Sequence, residues 1–167
     1  MTVRIDTIGP ADHGRWRALR HHALAADPDC FAAAAHAHPD AQPALAMFVA
    51  VDDRGDDVGL AGLGAGRELV SMWVAPQARR SGVGRALVSA VLAAAADQPV
   101  RLRVMAGNGA ATRFYAGLGF RPVSTTADED GTVTMVRDAS PAPTVWSRPA
   151  GRPPRPGAPR PGRSADQ

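Results

Sequence analysis

Two short stretches of this 167-residue chain bring together residue types that can do chemistry. The first is Arg79-Arg80-Ser81-Gly82-Val83-Gly84-Arg85, set between a strand-like run, Ser71-Met72-Trp73-Val74, and a helix-like run from Ala86 to Ala96. The first amides of a helix have no internal partner and carry partial positive charge. Gly82 and Gly84 would let a ligand approach the backbone closely, and Arg79, Arg80 and Arg85 add formal charge. Together they describe a site for a phosphate or pyrophosphate. The competing reading is a tight strand-to-helix turn with solvated arginines. Two familiar phosphate loops do not fit: the chain has no lysine for one, and Leu87 stands where the other needs its third glycine.

The second stretch, residues 108 to 120, has the form N-x-x-A-x-x-F-Y-x-x-x-G-F. On a helix, Asn108 and Tyr115 share a face and lie roughly 10 Å apart along the axis. An amide and a phenol on one stripe can hold a polar chain between them and meet its far end.

Arg-Arg-Ser-Gly-Val-Gly after a strand ending in Val74-Ala75-Pro76, followed by another strand and the second motif, resembles the GNAT superfamily of N-acetyltransferases. The resemblance spans roughly residues 3 to 137, and its specific part is 68 to 120. It implies an α/β fold with a mixed central sheet flanked by helices, and acetyl-CoA as cosubstrate. The family signature Q/R-x-x-G-x-G/A falls on Arg79, Gly82 and Gly84. It implies that the loop from Arg79 through Arg80, Ser81, Gly82, Val83 and Gly84 to Arg85 cradles the pyrophosphate. It further implies that the backbone of Met72, Trp73 and Val74 pairs with the pantetheine arm, with the Val74 amide polarising the thioester carbonyl. Asn108 resembles a pantetheine contact, Tyr115 a tyrosine near the sulfur, and Glu68 a base used by some members. Arg80 departs from the family, which usually has glycine there. The region from Asp27 to Pro43, in a part of the fold that shapes the acceptor site, is short and irregular, so the acceptor amine is left open.

Acetyl transfer from a thioester to an amine needs a deprotonated amine, a stabilised carbonyl oxygen and a departing sulfur. Tyr115 is the candidate acid for the sulfur, and Glu68 the candidate base, directly or through water. Each has a structural alternative. Tyr115 could close the core with its ring, Glu68 could pair with Arg67 or Arg103, and Asn108 could be a helix N-cap. Met72 and Trp73 could be strand packing. His36, His38 and Asp40 lie in one loop but without further ligands, so no metal is expected, and His21 and His22 are expected at the surface.

The elements that must position these residues read in the order β-α-α-β-β-β-α-β-α-β-β. Strands are expected over residues 3–9, 47–53, 57–65, 68–75, 100–105, 120–123 and 132–137, from alternation or continuous apolar runs. Helices are expected after Asp12 as cap, around 31–35, over 82–96 and from Asn108 to Leu118, where Gly119 closes the last. The domain is placed at 1–138. Residues 139–167, rich in Pro, Gly and Arg, cannot bury a core and are read as a disordered tail.

The net charge of +3 is unevenly placed. Residues 148–167 hold five arginines and one acid, whereas 1–147 hold 14 arginines and 15 acids, so the basic character belongs to the tail. Nucleic-acid binding through the arginine tail is a further alternative, disfavoured by its proline spacing and the few aromatics. The single cysteine, Cys30, leaves no internal disulfide and fits a reducing, cytoplasmic setting. The longest apolar run is too short for a membrane span. The sequence thus reads as an acetyl-CoA-dependent N-acetyltransferase acting on a primary amine, in a family whose members often dimerise. The alternative is an acyl-CoA-binding sensor without turnover.

Overall fold

The computed structural model describes residues 2–43, 45–96 and 98–139. Its elements are β1 (Arg4–Thr7), α1 (His13–Ala26), α2 (Ala33–Ala37), β2 (Ala46–Val51), β3 (Asp57–Gly64), β4 (Glu68–Val74), α3 (Val83–Ala94), β5 (Val100–Met105), α4 (Gly109–Ala116), β6 (Arg121–Pro122) and β7 (Thr132–Arg137). The order is the expected one. The strands form one seven-stranded sheet, β1-β2-β3-β4-β5-β7-β6. All neighbours are antiparallel except β4 and β5. Among the described residues, no helix is long and apolar enough to cross a membrane. The expected tail, apart from Ala139, lies outside the described residues.

Local chemistry explains where boundaries shift from expectation. β1 stops at Thr7, because Gly9-Pro10 opens a 3-10 turn over Pro10–Asp12. Asp12 precedes α1, but its side chain caps no helix amide. α2 starts two residues later than expected, at Ala33, after a 3-10 turn over Pro28–Cys30. α3 starts at Val83, since Gly82 has φ +90° and is outside the helix. α4 ends at Ala116, and Gly119, at φ +88°, then turns the chain. β6 is confined to Arg121 and Pro122, the latter lacking an amide proton.

Two layers of helix cover the sheet. Adjacent residues on a strand point to opposite faces. On one face α3 packs with Val83, Leu87, Val88 and Val91 buried; Leu87 and Val83 lie against Gly59 of β3. On the other face α1 buries Trp16, Leu19, Ala23 and Leu24, and Trp73 meets His22 of α1 edge to face, with ring centroids 5.5 Å apart. Arg15 fastens α1 to the sheet: its Nε donates to Asp57 of β3 at 2.8 Å and its Nη1 to Asp6 of β1 at 3.1 Å. The interior is filled by large apolar side chains, including Leu60, Leu63, Leu102 and Met135.

At Gly59 α3 lies close against the sheet. A β-carbon there would sit 2.9 Å from the Trp73 carbonyl oxygen and 3.0 Å from a Leu87 methyl. Neither can withdraw freely, because one is backbone and the other fully buried. Gly59→Ala is therefore expected to destabilise the fold by about 1–3 kcal/mol. Denaturant titration checks this; wild-type stability would show that α3 can shift.

Candidate active site

β4 and β5 run parallel but pair at two positions alone, Glu68 with Arg101 and Leu69 with Leu102. Beyond Leu69 the strands separate, so the split opens at the carboxyl ends of both, where ligands commonly bind in α/β sheets. It widens into a cavity of about 1020 Å³ whose lining runs from Glu68 past Met72 and Val74 to Gly82, Asn108 and Tyr115.

A bulge shapes the exposed edge of β4. The register against β3 slips between Leu60 and Gly62, so that Ser71 and Met72 together oppose Ala61. Ser71 takes φ +55°, a left-handed conformation unusual for a residue with a side chain. Past the bulge, the Ala75 amide donates to Val58 of β3 at 2.9 Å. Strand alternation then points the N–H and C=O of Val74 into the split. The carbonyl of Val74 is taken by Arg79 Nε at 3.0 Å.

The loop from Arg79 to α3 leaves its amides bare. Arg79 N donates to Pro76 O, and the next backbone amide to donate is that of Ala86, to Gly82 O at 3.0 Å. Among the described residues, the amides of residues 80 to 85 therefore have no protein acceptor. Arg80 and Gly82 both have positive φ, 61° and 90°. Residues alternating in this way turn successive amides toward one point and form an anion-binding concavity. A β-carbon at Gly82 would meet nothing within 4 Å, so that side of the loop is open. Gly84 serves a different purpose from Gly82: a β-carbon there would sit 3.1 Å from Phe114 and 3.4 Å from Met72. Its bareness lets α3 lie against the cavity wall. Ser81 Oγ donates to Ala78 O at 2.6 Å and closes the loop.

These residues fit the phosphates of an acyl-CoA. An anion with several acceptor oxygens meets consecutive free donors at a helix N-terminus, with Arg80 and Arg85 beside them.

Arg79 is held in another direction. Its Nη2 reaches Asp27 Oδ2 at 2.5 Å, and the same oxygen accepts the Trp73 indole N–H at 2.7 Å. Asp27, directly after α1, thus ties that helix both to β4 and to the loop before α3. The sequence offered no motif for this residue.

Asn108 is the N-cap of α4: its Oδ1 accepts from the Ala111 amide at 3.0 Å. Its Nδ2 remains turned toward Cys30 Sγ at 3.9 Å, and both residues line the cavity. Burial raises the Cys30 thiol above its usual range, as does nearby Asp27, while Arg79 works the other way. Tyr115 is 7% exposed, with its ring edge-on to Phe114 and Phe120. Among the described residues its hydroxyl makes no protein hydrogen bond, and it lines the cavity. Burial alone raises its pKa well above the ordinary phenol value, which keeps the proton on the oxygen.

Glu68 stands at the vertex of the split. Its Oε1 accepts from Arg103 Nε at 3.0 Å, and Oε2 lies 3.8 Å from Arg101 Nε. Arg103 also reaches Asp130 at 2.8 Å. Arg67, a candidate partner in the sequence, makes no ion pair with Glu68. His36 bonds to the Pro28 carbonyl and His21 to Asp40, so neither ring faces the cavity partners above.

The sequence matches the model of the acetyltransferase (GNAT) domain over residues 21–136. No curated protein matches it closely. Among solved structures, one from Corynebacterium glutamicum, described as a histone acetyltransferase and related acetyltransferase, is 24% identical with a TM-score of 0.64; the match covers 87% of this chain and 100% of that one. A ribosomal-protein alanine N-acetyltransferase from Escherichia coli is 21% identical with a TM-score of 0.63, covering 86% of this chain and 98% of that one. A GNAT-family acetyltransferase from Staphylococcus aureus is 15% identical with a TM-score of 0.64, covering 81% of this chain and 98% of that one. At these identities the structures speak for the fold, and the domain match speaks for the family. A split sheet, a cradle of free amides and a matched domain agree: the chain belongs to the GNAT acetyltransferases, which transfer an acyl group from acyl-CoA to an amine.

Proposed function

We propose that this protein transfers an acetyl group from acetyl-CoA to a primary amine. The observation that carries the reading is the run of unpartnered amides from residue 80 to 85 at the open end of the β4–β5 split. Free donors at one end and an unpaired strand edge along the side suit a ligand with a pyrophosphate and an amide-bearing arm.

Bound acetyl-CoA would supply the acetyl group as a thioester: the amine nitrogen forms a bond to the carbonyl carbon, the carbon–sulfur bond breaks, and CoA leaves as the thiol. The chain's residues divide the remaining work. Arg80, Ser81, Gly82, Val83, Gly84 and Arg85 hold the phosphates, with Arg79 fixing the loop to β4. Met72 and Val74 present backbone to the arm, Trp73 between them being paired with Leu60 of β3, and the Val74 N–H stabilises charge on the carbonyl oxygen. Asn108 offers its Nδ2, held in the protein alone only by a long contact to Cys30 Sγ, to the arm while its oxygen caps α4. Tyr115, which burial keeps protonated, gives its proton to the sulfur as the carbon–sulfur bond breaks. Glu68 takes the amine proton through the vertex of the split.

One observation favours a second reading, acyl-CoA binding without turnover: Glu68 is already engaged by Arg103. Release of free thiol from acetyl-CoA across a panel of amines separates the two. Thiol release that depends on an amine supports transfer, and tight binding with no release supports the sensor.

Three outcomes are expected. Gly82→Asp puts a negative charge into the open side of the cradle and should reduce acetyl-CoA affinity at least tenfold by calorimetry; wild-type affinity would sink the cradle. Tyr115→Phe keeps the ring and removes the proton, so turnover should fall roughly 10- to 100-fold with acetyl-CoA binding retained. Wild-type turnover would return Tyr115 to a packing role. Because Tyr115 is the chain's one tyrosine, tyrosinate absorbance follows it alone. Its raised pKa means that the buried neutral phenol stabilises the fold below about pH 10 and that this stability is lost as pH climbs further. Tyrosinate should therefore appear above the free-phenol range, together with loss of structure. Titration near pH 10 in the folded protein would contradict the burial.

A further inference from the structure

Arg20 of α1 is 5% exposed and lines the cavity on the face of the sheet covered by α1. Its Nε donates to Ser71 Oγ at 3.0 Å, and its Nη1 donates to the carbonyls of His38, at 2.9 Å, and Pro39. Among the described residues no carboxylate lies within ion-pair distance of it. Asp40, the nearest acid in sequence, is turned to His21 at 2.9 Å and Arg17 at 3.9 Å. The remaining nitrogen, Nη2, donates no hydrogen bond among the described residues. It is also not sealed in: the one fully buried side-chain nitrogen or oxygen without a partner there is Trp16 Nε1. Nη2 is therefore a donor without a protein acceptor, on a buried cation that lines the cavity.

A buried charge without a paired counter-charge is costly: burial lowers the pKa of this guanidinium, and Asp40, beyond ion-pair distance, opposes that more weakly. The other arginines of the lining are accounted for. Arg79 is paired with Asp27 and Arg103 with Glu68 and Asp130, while Arg80 and Arg85 stand at the phosphate cradle. Arg20 lies elsewhere. It docks on Ser71, the bulge residue midway along β4, between the cradle and the vertex at Glu68. A group held by Nη2 would sit beside the stretch of β4 where the acyl carbonyl belongs.

We propose that the acceptor amine also carries a carboxylate, held by Arg20 Nη2, so that the substrates are amino acids or other short amino carboxylates. This rests on the transferase reading above. The charge of the lining agrees: with Arg79 and Arg103 paired to carboxylates and Arg80 and Arg85 at the cradle, Arg20 is the lining cation left for an acceptor's carboxylate. Two of the three bonds that Arg20 makes go to the segment before β2, so it also shapes that wall. A purely structural tether would not discriminate between acceptors.

The test uses matched probes, L-alanine with L-alaninamide and 4-aminobutyrate with butylamine. Binding is measured by calorimetry in the presence of CoA, and transfer from acetyl-CoA by thiol release. In the wild type, the carboxylate member of at least one pair should bind and react roughly 10- to 100-fold better, the range of one charge-assisted hydrogen bond. Arg20→Gln should erase that preference while acetyl-CoA affinity stays, and Arg20→Lys should keep part of it. Equal or better binding of both neutral probes, failure of both carboxylates to bind, or a preference that survives Arg20→Gln would overturn the proposal. Should Arg20→Gln not fold, the wild-type comparison still decides. Binding preference without thiol release would sink the transferase reading and leave the carboxylate site standing; thiol release that ignores the carboxylate would do the reverse.

Discussion

A β-strand inside a sheet has to place every backbone N–H and C=O, because a buried unpaired group costs as much as a lost hydrogen bond. β4 meets this requirement on one side through β3 and abandons it on the other after Leu69. Everything that makes a site here follows from that abandonment. The split provides the cavity, the bare edge provides donors and acceptors in extended register, and the loops at the open end carry Gly82 and Asn108. A fully paired β4–β5 ladder would leave a stable sheet with no room for a ligand.

Holding two parallel strands apart needs props on both faces. On the α3 face, Met72 and Phe114 meet at bare Gly84. On the α1 face, Asp27 accepts from Trp73 and Arg79, and Arg20 fixes the bulge at Ser71 to the chain before β2. These polar ties are specific where apolar packing alone would allow sliding, since each fixes a direction as well as a distance. They also couple the two halves of the cavity. The residue that anchors the loop before α3 and the residue proposed to face the acceptor both belong to the α1 segment.

Legibility in the sequence followed the range of the interactions. β5 alternates cleanly, Val100, Leu102 and Val104 inward, and its bounds match expectation, as do those of β7. The turn between β4 and α3 was legible because its glycines and its position between strand and helix are local features. Ser71 was not: nothing in its type announces a left-handed bulge, which arises from pairing with β3. Asp27 has no local signal, since its partners lie 46 and 52 residues away. Arg20 carried a readable signal that went unused. It sits one turn after Trp16 and one before Leu24, on the buried stripe of α1. A cation at such a position asks for a counter-charge or a function. Glu68 shows the opposite limit: its type and place suggested a base, while its engagement by Arg103 depends on the two strands meeting at the vertex.

The central claim is that the amides of residues 80 to 85 are free donors waiting for the phosphates of a CoA ester. Amide hydrogen exchange, followed residue by residue by NMR with and without acetyl-CoA, addresses it directly. These amides should exchange rapidly in the protein alone and become protected when the ligand is added, while the core amides of β2 and β3 stay unchanged. Protection already present without ligand, or exchange that acetyl-CoA leaves unaltered in this segment, would contradict the account.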